Sequence, residues 1–560
     1  MSDERAQRRR ILSLPATAGL IGAGVFWLAS LRPTLLPRDW PIQAAISGIS
    51  AAVGYGVGTF AGWVVGAIRR RRLEPSTRTR RIVAIVVVLV GALALIPWWA
   101  WQSDQAVLVD EAQGSIATIP PMVLVALIVF AVLLIIGRAV GRGLVHLEHW
   151  LGRFMPRWVS VVLTGAIFLA AVFVLSQDVV FRRFVDWAND RYAAFDLSTP
   201  EGVERPQVST VTGGTGTTVP WNTLGEYGRT FVAGATTTED LSSFLGSSAT
   251  VSEPIRVYAG LRSAGSARAR ADLVVQELDR TGASERSVVV AWTSTGTGWV
   301  DPIAATALEY LFAGDTAIAS MQYSYLPSWI SFLVDGPKAA DAGAALNEAV
   351  HDWWSALPAD SRPALIVFGE SLGSLGTEAA FVQGDAAASV DALTSRSDGV
   401  LLVGPTAVNE IWKQIEAERA PESPVWAPVY DEGRIVRFAP SPGDVRPSGE
   451  DWQQPRILYV HHPSDPVGNW TMKTLWAPPP WTNSPTGDDV PDTVGWFPFV
   501  TWLQVLADLA AGFSSEPGHG HNYNADVVDA WMAVHPADGW TDADLRRLED
   551  LLSSQAEATS

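Results

Sequence analysis

The chain of 560 residues contains no cysteine. Thiol catalysis, zinc–thiolate sites and disulfides are therefore excluded, and the absence fits either side of a membrane. Charge is also sparse. Only 18% of residues are Asp, Glu, Lys or Arg, and mean hydropathy is +0.16, unusual for a soluble protein of this size. The net charge is −18, yet arginines crowd the first third while the carboxylates lie mostly in the remainder. The second half offers no basic surface, so nucleic acid is not an expected partner. There are only eight histidines, which leaves few places for imidazole chemistry. The length exceeds one compact domain.

Long apolar runs are what the first third has instead. Five stretches, 11–31, 42–68, 82–101, 121–140 and 158–180, reach the roughly 20 residues a helix needs to cross a bilayer. The second carries Gly54, Gly56, Gly58, Gly62 and Gly66, which let helices approach closely in lipid. The Arg-rich start also suits a signal peptide, but no small-residue cleavage site follows and four more spans come after. Almost no ionisable residue lies inside the spans, which argues against a transporter.

Arginine placement sets an expected orientation. Arg5, Arg8, Arg9 and Arg10 precede the first span, Arg69 to Arg72, Arg78, Arg80 and Arg81 follow the second, and Arg138, Arg142, Arg153 and Arg157 follow the fourth. The other side holds Arg32, Arg38, Arg182 and Arg183, with Asp104, Asp110 and Glu111 in one loop. This predicts a multi-pass plasma-membrane protein with a cytoplasmic N-terminus and an extracytoplasmic region after residue 180. Trp98, Trp99 and Trp101 then fall at the outer interface.

Residues 1–180 thus read as a transmembrane helical domain. Residues 181–252 read as an amphipathic juxtamembrane helix (181–196) and a Gly-, Thr- and Ser-rich linker with some local structure, and the helix suits either a solvated stalk or an interfacial anchor. Residues 253–545 read as an α/β domain and 546–560 as a tail. Within the α/β domain, apolar runs at 255–261, 287–292, 316–325, 364–368, 399–403 and 456–460 predict strands. Segments 267–280, 303–313, 338–356 and 372–382 predict helices; in the third, Leu346, Val350, Trp353 and Leu357 recur at helical spacing. Such alternation predicts a mostly parallel sheet with helices on both faces.

Chemistry enters at Gly369–Gly373, where ALIVF runs into GESLG and then into a helical pattern. A serine in G-x-S-x-G between strand and helix sits on a sharp turn that exposes its hydroxyl. Ser371 is thereby the candidate nucleophile, with the Leu372 N–H aimed where an oxyanion would form. A serine needs a base and an orienting acid, which follow in the order serine, acid, histidine in this arrangement. His146 and His149 fall in a cytoplasmic loop, His351 in a helix, His461 and His462 at a strand end, and His535 near the tail. PGHGHNY remains, with His521 preferred as base because Tyr523 follows two residues on, and His519 as the alternative. Reading His-Gly-His as a metal site finds no carboxylate or cysteine beside it. The strand RILYV leads into HHPSDP, making Asp465 the candidate acid, with Asp488, Asp489 and Asp508 as fallbacks. A second oxyanion donor is expected from TSTGTGW, within Ser294, Thr295, Gly296 and Thr297.

With GTGWVDP, GESLGSLG, HHPSDPVGNW and PGHGHNY in this order, and VPWNTLGEYGRTFV and EPIRVYAGL before them, the chain resembles the actinobacterial membrane α/β-hydrolase family over nearly its whole length. That resemblance implies an N-terminal multi-span domain joined to an α/β-hydrolase domain, a Ser371–Asp465–His521 triad and no cofactor. The expected activity is two-step cleavage of a carboxylic ester. The expected partners are a small-molecule or lipid ester and membrane lipids. Residues 326–334 and the aromatics after Asp465 (Trp470, Trp476, Trp481, Trp496, Phe497, Phe499 and Trp502) suit either an acyl-chain site or an aromatic core under a lid. Acyl transfer on the same triad and a non-catalytic membrane scaffold or sensor are the competing functions.

Overall fold

The computed structural model describes residues 17–68, 76–174, 181–247, 249–444 and 452–559. The start of the first expected span, the Arg69 to Arg72 run and the end of the fifth span lie outside the described residues. The chain forms two units. The first holds residues up to Arg182 with Trp470–Thr482 and Asp488–Ala511; the second holds Arg183–Asn469, Asn483–Gly487 and everything from Gly512.

The first unit is helical. Among the described residues, three helices are long and apolar enough to cross a membrane: Trp40–Gly66, Thr77–Leu108 and Ile116–Leu151. The first and fifth expected spans appear as shorter apolar helices, with Thr17–Ser30 and Arg157–Val174 described. Among the described residues, three of the five expected spans are thus helices of clear spanning length. The third expected span breaks at Ala94 into Thr77–Leu93 and Leu95–Leu108. Pro97 explains the break, because its ring crowds the carbonyl four residues earlier and it has no N–H to donate. The glycine pattern works in part, since a Cβ on Gly56 would meet nothing within 4 Å. A Cβ on Gly22 would lie 2.1 Å from the Gly54 carbonyl oxygen, and one on Gly58 would lie 2.2 Å from that of Ala18. Only small residues permit this backbone approach.

The aromatic insertion after Asp465 belongs largely to this unit. Thr34 Oγ1 donates to Asp508 Oδ2 at 2.7 Å, Gln504 Nε2 donates to the carbonyls of Ser30 (3.1 Å) and Arg32 (3.0 Å), and Phe26 meets Phe497 edge-on at 5.0 Å. Trp470 and Trp502 pack 6.0 Å apart.

Among its described residues the second unit carries seven parallel strands: β1 (Ile255–Ala259), β2 (Val288–Thr293), β3 (Thr316–Met321), β4 (Ala364–Glu370), β5 (Gly399–Val403), β6 (Val436–Ala439) and β7 (Arg456–Val460). Their order is β1-β3-β2-β4-β5-β7-β6. Burial on both faces explains the near-continuous Val, Ile and Leu. Val289, Ala291 and Leu365 pack under the helices Ala267–Thr281 and Gly336–Ser355. On the opposite face, Val290, Trp292 and Phe368 pack under Pro302–Leu311, Val527–Val534 and Asp542–Thr559.

Two readings need correction, and a third gains detail. Residues 197–252 are not a plain linker: the helices Gly225–Ala233 and Thr238–Leu245 place Leu224, Phe231, Val232 and Leu241 in the same core as β2. Residues 546–560 are not a loose tail, since Leu548 and Leu552 are buried in that core from the Asp542–Thr559 helix. The helix Phe181–Phe195 turns Ala188 and Val185 onto Leu326 and Ile330, so part of its apolar face is used within the protein.

Candidate active site

The loops after β2 and β4 leave the sheet in opposite directions, and the crevice between them is where parallel α/β sheets take ligands. A cavity of about 400 Å³ opens there, lined among others by Trp299, Asp301, Glu370, Ser371, Phe513 and His521.

Ser371 follows β4 with φ 54° and ψ −124°, a strained conformation for a residue with a side chain, and its N–H donates to the Val403 carbonyl at 2.9 Å. The flanking glycines make the turn possible. A Cβ on Gly369 would lie 2.5 Å from the Gly373 carbonyl oxygen, and one on Gly373 would lie 2.2 Å from that of Thr293. The helix Leu372–Ala379 starts directly after the serine, so the Leu372 N–H is one of its unpaired N-terminal donors.

Asp465 is fully buried and takes three donors. Oδ2 accepts from His521 Nδ1 (2.7 Å) and the Tyr523 hydroxyl (2.7 Å), and Oδ1 accepts the Val467 N–H (2.8 Å). Burial opposes its charge, but attraction to His521 and hydrogen bonds from His521 and Tyr523 hold the carboxyl below its usual value. A carboxylate at Nδ1 fixes the proton there and leaves Nε2 as the basic nitrogen. His521 Nε2 is buried and makes no hydrogen bond among the described residues, although it shares the cavity with Ser371. Such bonds are often open without substrate.

The candidate base, His521, is held by its own loop. Its N–H donates to the Gly512 carbonyl at 2.8 Å, and Phe513 packs edge-on to the ring at 4.8 Å. Gly520, at φ 53°, donates to Ser464 Oγ (2.9 Å) while its carbonyl faces His462 Nδ1 at 3.0 Å. His462 Nε2 faces Asp526 Oδ2 at 3.1 Å. Gly404, at φ 53°, backs the site: a Cβ there would stand 2.7 Å from His521 Cε1 and 2.6 Å from the Tyr523 ring.

His521 is thus bonded to Asp465 and placed on the cavity that Ser371 lines. His519 is not: its N–H closes a turn to Glu516, and it does not line the cavity. Asp488, Asp489 and Asp508 belong to the first unit. Thr295 lines the cavity, but its N–H donates to the Trp299 carbonyl at 3.0 Å, so it is not a free oxyanion donor. Ser294 spends its hydroxyl on the Met321 carbonyl. No hydrogen bond occupies the N–H of Gly296 or Thr297 among the described residues. Sequence reasoning missed Glu370 and Asp301. Asp-Pro at 301–302 carried only a helix-start signal, which is real: Oδ1 accepts the N–H groups of Ile303 (2.7 Å) and Ala304 (3.3 Å). Among the described residues, no group of three or more His, Asp or Glu is placed to hold a metal ion.

Comparison with known families gives two matches. Residues 255–548 match the alpha/beta-hydrolase family, and residues 31–235 match the alpha/beta-hydrolase family N-terminus. No curated protein and no solved structure matches the chain.

Proposed function

The chain belongs to this alpha/beta-hydrolase family, and from that premise we propose that it is a membrane-embedded serine hydrolase that cleaves carboxylic esters through Ser371, His521 and Asp465. The observation that carries the reading is the 2.7 Å bond from His521 Nδ1 to buried Asp465 beside a cavity shared with Ser371.

In this mechanism His521 Nε2 takes the Ser371 hydroxyl proton as the oxygen attacks the ester carbonyl. The carbonyl π bond opens to an oxyanion, which the Leu372 N–H and an N–H of Gly296 or Thr297 stabilise. Collapse expels the alcohol, protonated by the imidazolium, and leaves an acyl-Ser371 ester. Water, deprotonated by His521, attacks that ester in turn and releases the acid and the free serine. Asp465 stabilises the imidazolium in both halves.

Five spans, a cytoplasmic N-terminus and an extracytoplasmic catalytic unit complete the proposal, supported by the arginine distribution and the apolar helices. Membrane or envelope esters are the proposed natural class. Hydrolysis of p-nitrophenyl butyrate should vanish in Ser371→Ala, and kcat/KM should rise with acyl length. Undiminished turnover in the variant would remove the nucleophile; strict preference for short soluble esters would remove the lipid class.

A further inference from the structure

The mechanism leaves two carboxyls in the cavity unused. Glu370 precedes the nucleophile, is 7% exposed, lines the cavity, and its side chain has no hydrogen bond or ion pair among the described residues. Asp301 is 4% exposed and lines the same cavity; Oδ1 caps the Pro302–Leu311 helix, and Oδ2 has no partner among the described residues. Buried carboxyls ordinarily come paired with a cation or with donors. Here the nearby charges are of the same sign. Burial and then repulsion from Asp301 and Asp465 hold the Glu370 carboxyl well above its ordinary range. Burial pushes Asp301 up to about 6 against its two N–H donors. Trp299, half-buried on the same wall, adds an aromatic ring. Two buried carboxyls whose ionised forms have no counter-charge, and an indole lining the same small cavity, suit a compact organic cation, whose arrival would favour ionisation of the carboxyls.

We propose that Glu370, Asp301 and Trp299 form a cation subsite beside Ser371, and that the preferred ester carries an ammonium group close to its reacting carbonyl. The inference rests on Ser371 as nucleophile for its reaction, but not for its binding. The cation supplies the missing counter-charge to both carboxyls, and the ester is seated with its carbonyl at the serine. Neutral esters of the same shape leave the pair uncompensated.

Two measurements on the full chain in detergent micelles test this. The first compares kcat/KM for butyrylcholine and its uncharged isostere 3,3-dimethylbutyl butyrate. The wild type should favour the cationic ester roughly tenfold or more, and Glu370→Gln and Asp301→Asn (which keeps a capping side chain) should each draw the ratio toward one. A wild-type ratio near one overturns the subsite while Ser371 remains the nucleophile. The second uses Ser371→Ala and calorimetric titration with tetramethylammonium chloride, which needs no turnover. Saturable binding that weakens on adding Glu370→Gln supports the subsite even if neither ester is cleaved. Absence of binding, or binding of magnesium or calcium in its place, overturns it.

Discussion

Glu378, on the helix that begins after Ser371, predicts a measurable pH dependence of stability. Its Oε1 accepts the Tyr459 hydroxyl at 2.9 Å and its Oε2 accepts the Ile411 N–H at 2.8 Å, in a site that is 1% exposed. Burial outweighs these donors and one from Asn409, and pushes the carboxyl up to about 7. The folded value lies above the unfolded one, so the contribution is fully present below about pH 4.5. It falls as pH rises, because the unfolded chain loses its proton first, and it levels off once the folded carboxyl has also ionised near pH 7. At ~1.4 kcal/mol per pH unit the total loss is about 3 kcal/mol. Gln in this place mimics the neutral acid: its amide nitrogen can donate to the Tyr459 oxygen while its carbonyl accepts from Ile411. Glu378→Gln should therefore match the wild type at pH 4.5 and exceed it by about 3 kcal/mol at pH 8. Thermal unfolding of both proteins, followed by near-UV circular dichroism at pH 4.5, 6, 7 and 8, reads the difference. Parallel midpoints across that range would refute the reasoning.

Other perturbations act on the site and on topology. Asp465→Asn leaves the shape intact but disfavours the tautomer with a basic Nε2, and should lower kcat by roughly 10⁴-fold with little change in KM; steady-state ester kinetics measure it, and a loss under tenfold would contradict the assigned acid. Gly404→Ala forces a Cβ toward the His521 and Tyr523 rings at a positive φ, so it should destabilise the protein by about 1–3 kcal/mol and reduce turnover. Full activity with unchanged melting would show that the base does not depend on that close approach. Because the chain lacks cysteine, Ser115→Cys provides a single thiol in the segment joining two apolar helices. A membrane-impermeant maleimide should label it on intact cells, and labelling only after lysis would reverse the proposed orientation.

Much of the α/β unit was legible because its strands are apolar runs bounded by turn residues. The bounds of β5 and β7 match the expected 399–403 and 456–460. β6 escaped notice because Val436–Ala439 is short, lies at the sheet edge, and holds Arg437 and Phe438 only half-buried. The 197–252 segment misled by composition: its Gly, Thr and Ser hid Leu224, Phe231 and Leu241, which are spaced too irregularly to show a period but reach the core. Leu548 and Leu552, four apart, did carry a helical signal that a charged surrounding masked. At the candidate site, the turns that carry Ser371, Asp465 and His521 were readable locally. The Tyr523 hydroxyl on Asp465 and the approach of Glu370 and Asp301 were not, since each joins segments whose proximity the sheet order creates.

Everything catalytic depends on an imidazole activating one hydroxyl across a cavity. Fluorophosphonate labelling of the purified full chain, with the adduct located by peptide mass spectrometry, tests that directly. A single adduct on Ser371 that forms far more slowly in His521→Ala is the expected result. No adduct on Ser371, or one that forms equally fast without the imidazole, would contradict the account.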